Sequence, residues 1–234
     1  MIVAPLTYKI DTCNAHRYVI GDIHGCGKTF DALISTIGLT TDDQLFILGD
    51  MINRGKRSKK VIKQILKLQD AGFQIHAVRG NHEQQFIKYV TEMPPYFYKF
   101  YLKSMDMDDF LDNAGNVKEK YLNYLMKLPY YFELDSFFLV HAGFNPKNPL
   151  NDTAAMISTR ETNVDLRYLN GKTLIHAHTP IDINSIMDMI KFRHQRINLD
   201  NGCVLHNKQP EKGNLVCLNI DTYDLHVQKN IDYK

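Results

Sequence analysis

A chain that repeatedly ends short apolar runs on an acid or an imidazole beside glycine is constrained to bring those ends together. The sharpest instance is Gly21-Asp22-Ile23-His24-Gly25, entered directly from Tyr18-Val19-Ile20. A buried strand finishing this way delivers oxygen and nitrogen donors to one spot at its carboxyl end, where open α/β sheets place their ligands. Four further fragments share the design: Gly49-Asp50 after Gln44 to Leu48, Gly80-Asn81-His82-Glu83 after Phe73 to Val78, His141-Ala142-Gly143 after Ser136 to Val140, and His178-Thr179-Pro180 shortly after Thr173 to Ile175. Any one alone reads as a turn, a helix cap or an ordinary hydrogen-bonded histidine. Their coincidence in one chain does not.

Helical spacing fills the intervals. Lys28 to Ile37 carries Phe30, Leu33, Ile34 and Ile37 on one face, and Ser58 to Ala71 carries Val61, Ile62, Ile65, Leu66 and Leu68 with Gly72 just beyond. Gln84 to Val90 reads as a third helix. Strands alternating with helices predict a mixed or parallel sheet with helices packed on it. Thr91 to Tyr131 is rich in aromatics and Met and reads as short helices, whose rings pack or line a substrate groove. Arg196 to Leu199, Leu215 to Ile220 and Leu225 to Gln228 are strand-like, and a second sheet packed on the first would bury them. The expected fold is α/β (α+β): a four-layer sandwich of two packed mixed β-sheets flanked by helices. One domain is expected over residues 1–234, with a helical, aromatic-rich insertion at about 91–131.

Charge and cysteine usage exclude several classes. A net charge of +2, from 28 basic and 26 acidic residues, does not suit a general nucleic-acid binder. The cationic run Arg54 to Lys60 reads as a solvated helix start ahead of a phosphate-attracting rim. Cys13, Cys26, Cys203 and Cys217 form no C-x-x-C pair and read as reduced thiols. No basic-then-apolar segment opens the chain, and no apolar run approaches the roughly 18 residues of a membrane span. A soluble, cytoplasmic protein with neither membrane nor nucleic-acid partner is expected.

The gathered donors are Asp22, His24, Asp50, Asn81, His141 and His178. Oxygen and imidazole without thiolate suit Mn²⁺, Fe or Zn²⁺. Six ligands are too many for one catalytic ion that keeps open positions, yet fit two ions if one carboxylate bridges. Such pairs clamp the oxygens of an in-line displacement at phosphorus, so phosphate ester hydrolysis is the natural chemistry. Arg54 and Arg160 are planar forks suited to phosphate, and His82, next to Asn81, is placed to protonate a departing oxygen.

These motifs closely resemble the phosphoprotein phosphatase branch of the calcineurin-like metallophosphoesterases, especially its compact bacterial and phage serine/threonine phosphatases. The resemblance runs from about Arg17 to Gly202. Family G-D-x-H-G stands as Gly21 to Gly25, G-D-x-x-x-R-G as Gly49 to Gly55, G-N-H-E as Gly80 to Glu83, H-A-G as His141 to Gly143 and G-H-T-P as Ala177 to Pro180. Leu128 to Asp135 also looks like the bacterial members. The resemblance implies the calcineurin-like fold and two divalent ions, Mn²⁺ first, with Fe or Zn²⁺ as alternatives. Asp22 and His24 would hold the first ion, Asp50 would bridge, and Asn81, His141 and His178 would complete the second. Arg54, Arg160, Asn81 and His82 would hold phosphate, with His82 the acid. The family ligand directly follows the position of Ala177, which favours His178 over the near-duplicate His176.

One departure matters. The family's second motif usually carries an aspartate that pairs with the catalytic histidine, and that position is Asn53. An amide can accept the imidazole's hydrogen bond but brings no charge, so weaker general-acid catalysis and a lower apparent pKa are expected. The first functional expectation is a phosphatase of phosphoserine and phosphothreonine in proteins or peptides. The alternative is a bis(nucleosyl)-tetraphosphatase acting on dinucleoside polyphosphates, which shares these motifs and differs in the segments shaping the groove. A third reading, motivated by Asn53, is a weakened phosphopeptide-binding module.

Overall fold

In chain order the elements of the computed structural model, which describes residues 6–160, 166–206, 209 and 211–233, are β1 (Thr7–Tyr8), β2 (Arg17–Ile20), α1 (Gly27–Ile37), β3 (Gln44–Ile47), α2 (Ser58–Asp70) and β4 (Gln74–Ala77). Then come α3 (Asn81–Glu92), α4 (Pro95–Ser104), α5 (Glu119–Met126), β5 (Tyr131–Glu133) and β6 (Phe137–Val140). The last are α6 (Thr153–Ser158), β7 (Thr173–His176), α7 (Ile183–Lys191), β8 (Arg196–Asn198), β9 (Asn214–Asn219) and β10 (Leu225–Lys229).

Period-two burial sorts the strands into layers. Tyr18 and Ile20 of β2 pack with α1, α2 and α3, whereas Val19 packs with Leu139, Ile175 and Ile197 of the opposite sheet. Phe138, Val140 and Leu174 face outward again, onto Phe144 and Met156 of the α6 side. The result is the expected helix, sheet, sheet, helix sandwich. One sheet runs β10-β9-β2-β3-β4, with β2, β3 and β4 parallel; the other runs β1-β5-β6-β7-β8, with β6, β7 and β8 parallel.

The three late strand-like runs do not form the second sheet, as the sequence reading had it. β9 pairs antiparallel with β2, matching Tyr18 with Asn219, and β10 pairs with β9; β8 alone joins the other sheet, beside β7. An apolar run states that it is buried, not against which neighbour. β1, β5, α6 and α7 were not foreseen. The aromatic segment behaves mainly as packing: Tyr98, Tyr101, Phe110 and Tyr121 are buried, while Tyr96, Phe97 and Phe100 of α4 are exposed.

α3 begins three residues ahead of the expected Gln84. Gly80 is extended and acts as the N-cap, and its N–H donates to the Glu83 side chain at 2.9 Å. Asn81 and His82 therefore stand on the first helical turn. α1 has no side-chain cap of its own at Cys26; instead Asp232 accepts from the Lys28 and Thr29 N–H groups at 3.1 and 2.9 Å.

Candidate metal centre

The loops after β2 and β3 interlock through backbone. Ile23 and His24 N–H donate to the Asp50 carbonyl at 3.2 and 2.8 Å, and Gly25 N–H to Met51 at 2.9 Å. The crossing is so close that a Cβ on Gly55 would lie 2.2 Å from the His24 carbonyl oxygen. The loop after β4 joins through Glu83. Its Oε2 accepts from Asp50 and Gly80 N–H at 2.9 Å each, and its Oε1 from Met51 and Ile52 N–H at 2.8 and 3.3 Å. His82 N–H, at the start of α3, donates to Asp50 Oδ1 at 3.0 Å. Asp50 is thereby fixed with Oδ2 turned inward.

That oxygen is the hub. It lies 3.6 Å from His24 Nε2, 3.5 Å from His141 Nε2 and 3.8 Å from His82 Nε2. Asp22 Oδ2 is 3.6 Å from the same His24 nitrogen. Around His141 Nε2 stand Asn81 Oδ1 at 3.1 Å and His178 Nδ1 at 3.0 Å. His141 Nδ1 donates to the Leu48 carbonyl at 2.7 Å, which leaves its Nε2 lone pair facing those two acceptors. Metal–ligand bonds of about 2.0–2.2 Å put neighbouring ligand atoms roughly 3.0–3.5 Å apart, and the contacts here, 3.0 to 3.8 Å, fall at that spacing or slightly beyond it. Two donor groups, His24 with Asp50 and His82, and Asp50 with His141 and His178, share the one carboxylate.

Electrostatics make the same demand. Burial, with Asp200 and Asp50 close by, holds Asp22 well above the ordinary carboxylate range. Burial pushes Asp50 up to about 7, Asp200 to about 6 and Glu83 to about 8. The imidazoles move the other way. Burial lowers His141 and His178 to about 4 and His82 to about 3, the last two helped by nearby cations that include Arg54. Neutral imidazoles and crowded acids are what divalent cations require of their ligands, and such cations would relieve the crowding. The donor set fits a pair of divalent ions.

Each residue expected from the sequence can now be located. Asp22, His24, Asp50, Asn81, His141 and His178 converge. His82 is in the same cluster, 4.8 Å from His24 between ring centroids. Arg54 and Arg160 are exposed, and the charge of each acts on His178. His176 points elsewhere: Arg196 Nε donates to its Nε2 at 3.1 Å, and its Nδ1 lies 3.1 Å from the Ala177 carbonyl. The pairing of Asn53 with His82 is not made. Asn53 Oδ1 accepts from Arg54 N–H at 2.6 Å, and His82 Nδ1 is buried without a partner. Two residues were missed as contributors, the Glu83 clamp and Asp200. The Asp200 Oδ1 accepts from Gly202 N–H at 2.7 Å while its buried Oδ2 has no partner, beside Asp22. Its place after the apolar Ile197 to Leu199 run repeated the pattern of Asp22 and Asp50 and was the available signal.

A family model described as calcineurin-like phosphoesterase matches residues 16–214. A symmetrical bis(5'-nucleosyl)-tetraphosphatase of Wigglesworthia glossinidia brevipalpis is 28% identical over 188 residues, 76% of this chain and 64% of that protein. One of the same name from Chromobacterium violaceum is 32% identical over 133 residues, 56% of this chain and 44% of its own length. The chain thus spans less than two thirds of these curated relatives. Among solved structures, a candidate diadenosine tetraphosphatase superposes with a TM-score of 0.63 at 21% identity, covering 96% of this chain and 97% of that one. A protein serine/threonine phosphatase from Saccharomyces cerevisiae superposes at 0.60 with 15% identity, covering 99% of this chain and 85% of its own. At such identities the structures speak for the fold alone.

Proposed function

Because the chain belongs to the calcineurin-like phosphoesterase family, we propose that it is a two-metal hydrolase acting on the phosphate anhydride of dinucleoside polyphosphates. The observation that carries the metal centre is the shared carboxylate, Asp50 Oδ2 within 3.6 Å of both His24 Nε2 and His141 Nε2. Asp22 and His24 would hold one ion, Asn81, His141 and His178 the other, with Asp50 between; the family resemblance puts Mn²⁺ first, and the oxygen and imidazole donors suit Fe or Zn²⁺ as well. When bound, the ions supply charge neutralisation at phosphorus and a water nucleophile active at neutral pH.

The chain's own residues do the rest. Arg54 and Arg160 hold the non-bridging oxygens, and the Asn81 amide orients the same group. His82 Nδ1 donates no hydrogen bond to Asn53, and the ring is held near 3 by burial and Arg54, so it is a poor proton store at neutral pH. That bears on the substrate. A serine or threonine alkoxide, about as basic as hydroxide with a pKa near 16, leaves only with a proton, whereas a phosphate leaving group with a pKa of about 6 departs without one. An uncharged residue at 53 suits the anhydride better than the phosphoprotein first expected, and the names of the curated relatives support the same choice.

The test is a side-by-side assay with manganese of diadenosine tetraphosphate and a phosphoserine peptide. The anhydride is expected to turn over with at least tenfold higher kcat/KM, and Asp50→Asn to abolish both activities. A faster peptide reaction overturns the substrate assignment; full activity in Asp50→Asn overturns the metal centre.

A further inference from the structure

Just past the end of β8 the chain meets two of the metal-centre loops at once. Leu199 N–H donates to the His176 carbonyl at 2.8 Å, and a Cβ on Gly21 would lie 2.2 Å from the Leu199 carbonyl oxygen, so the backbone just ahead of Asp22 is packed on the backbone just ahead of Asp200. The loop that carries His178 is tied to the same stretch. The Asn198 amide donates to the Thr179 carbonyl at 2.9 Å, and Ile181 N–H donates to the Asp200 carbonyl at 2.9 Å. His178 N–H in turn donates to Asp22 Oδ1 at 3.4 Å. Asp200 is thereby fixed against both loops, and it is only 1% exposed.

The protein uses half of this carboxylate. Oδ1 accepts from Gly202 N–H at 2.7 Å, while Oδ2 is buried without a partner. The cations whose charge acts on it are Arg54 and Lys212, and the Lys212 ammonium donates to the Pro180 carbonyl at 2.9 Å. The charge of Asp200 acts on Asp22 more strongly than that of Asp50 does. A buried acid with an oxygen unsatisfied is costly to a fold, and a second acid beside it adds to the cost. Counting the ions reverses that balance. Two divalent ions bring four positive charges, whereas Asp22 and Asp50, the only acids among the six donors, return two. Glu83, bonded to the Asp50 loop, and Asp200, beside Asp22, are the remaining buried carboxylates of the cluster, and together they supply the difference.

We propose that Asp200 is a charge-balancing residue of the metal centre: it ligates neither ion, and its carboxylate beside Asp22 sets the affinity of the ion that Asp22 and His24 hold. This role presupposes the pair of ions already proposed and adds to it a residue outside the donor set.

Asp200→Asn separates charge from shape, because the amide keeps an oxygen for Gly202 N–H and puts its NH₂ where Oδ2 has no partner. The test is calorimetric titration of manganese into the full chain after removal of metal with EDTA. Wild type and variant are both expected to bind two ions, one of them about 10–100-fold more weakly in the variant and the other unchanged. Asp22→Asn should impair that same weakened site, and adding Asp200→Asn to it should leave the remaining site as it was. In EDTA the Tm of Asp200→Asn is expected to equal or exceed that of wild type, since a like charge beside Asp22 is gone, while the rise in Tm on adding manganese is smaller. Unchanged affinity for both ions in Asp200→Asn overturns the role of Asp200 and leaves the two-ion reading standing. A Tm in EDTA several degrees below that of wild type assigns the residue to the fold and also overturns it, as does complete loss of one ion, which would make Asp200 a ligand. A wild type that binds no pair of ions overturns both readings.

Discussion

Glu83→Gln tests the physical centre of the site without touching any proposed metal ligand. The carboxylate is fully buried and accepts four backbone N–H groups, two on each oxygen. Glutamine keeps one oxygen and turns an NH₂ toward two donors that then have no acceptor. The side chain will place its NH₂ where least is lost, at the Oε1 position, whose bonds are 2.8 Å to Met51 and 3.3 Å to Ile52 rather than a matched pair at 2.9 Å. Orphaning a buried donor costs about 1–3 kcal/mol; taking the long bond near the bottom of that range and the short one near its middle gives about 3 kcal/mol. That is a large part of a stability of about 5–15 kcal/mol.

The magnitude depends on charge. Burial and the neighbouring Asp50 push Glu83 up to about 8, so in metal-free protein at neutral pH a proton already sits in this cluster and the amide is a closer mimic. Cations that neutralise Asp50 make the charged carboxylate the proper reference, and the full loss is then exposed. Urea unfolding of wild type and variant at pH 7 should show about 3 kcal/mol of destabilisation in saturating manganese and distinctly less in EDTA. kcat/KM is expected to fall at least tenfold, because the loop carrying Asp50 loses two of the three bonds that Glu83 makes to it. A loss under 1 kcal/mol in manganese, with kcat/KM within twofold of wild type, would refute this account of what positions Asp50.

Manganese at about 100 times its Kd should stabilise the wild type by about 2.7 kcal/mol, reversibly with EDTA, and Asp50→Asn should abolish that shift in Tm. Gly55→Ala sets a Cβ 2.2 Å from the His24 carbonyl oxygen and 2.8 Å from the Gly25 carbonyl carbon, so a loss of more than about 3 kcal/mol by denaturant melts, with loss of activity, is expected. His176, lowered to about 3 mainly by burial, binds its proton in the unfolded chain from about 6.5 downward but in the folded chain only near 3. Its contribution to stability is therefore lost as pH falls between those values, by about 1.4 kcal/mol per pH unit, and the gap between wild type and His176→Gln should shift in favour of the variant across pH 6 to 4 at that slope.

What the sequence disclosed follows what sequence pattern can encode. Strands β2, β3, β4, β6 and β7, and the donors at or just past their ends, were legible because an apolar run closing on glycine and a polar donor leaves few ways to fold. His178 over His176 was legible only through the family resemblance, and the structure supplies its own reason in the Arg196 contact. Sheet membership of β9 and β10 was not legible, since pairing partners are a property of the whole chain. Nor was the cap on α1, which Asp232 supplies from 204 residues away. Glu83 was read as part of a motif and not as a clamp, because its four partners lie on the loops after two different strands, three of them more than 30 residues away.

The departure at Asn53 takes its meaning from the backbone. His24, Asp50, Asn53, Arg54 and His178 all have φ between 43° and 74°, a region that costs a non-glycine residue of order 1–3 kcal/mol. Summed over five residues, that strain is comparable with the whole stability of a domain. It persists because the same loops carry the Asp50 carbonyl bonds, the Glu83 clamp and the Asn53 N–H donated to Ser58 Oγ at 2.9 Å. Asparagine is among the few residues that enter the left-handed region readily, and here its Oδ1 is spent on the next N–H, that of Arg54. The side chain therefore shapes the turn that presents Arg54 and leaves His82 Nδ1 without a partner. The donor atoms are thus positioned by the hydrogen bonds of the protein's own turns. A site built this way favours a reaction whose difficulty is positioning and charge at phosphorus over one that needs a strong acid for its leaving group.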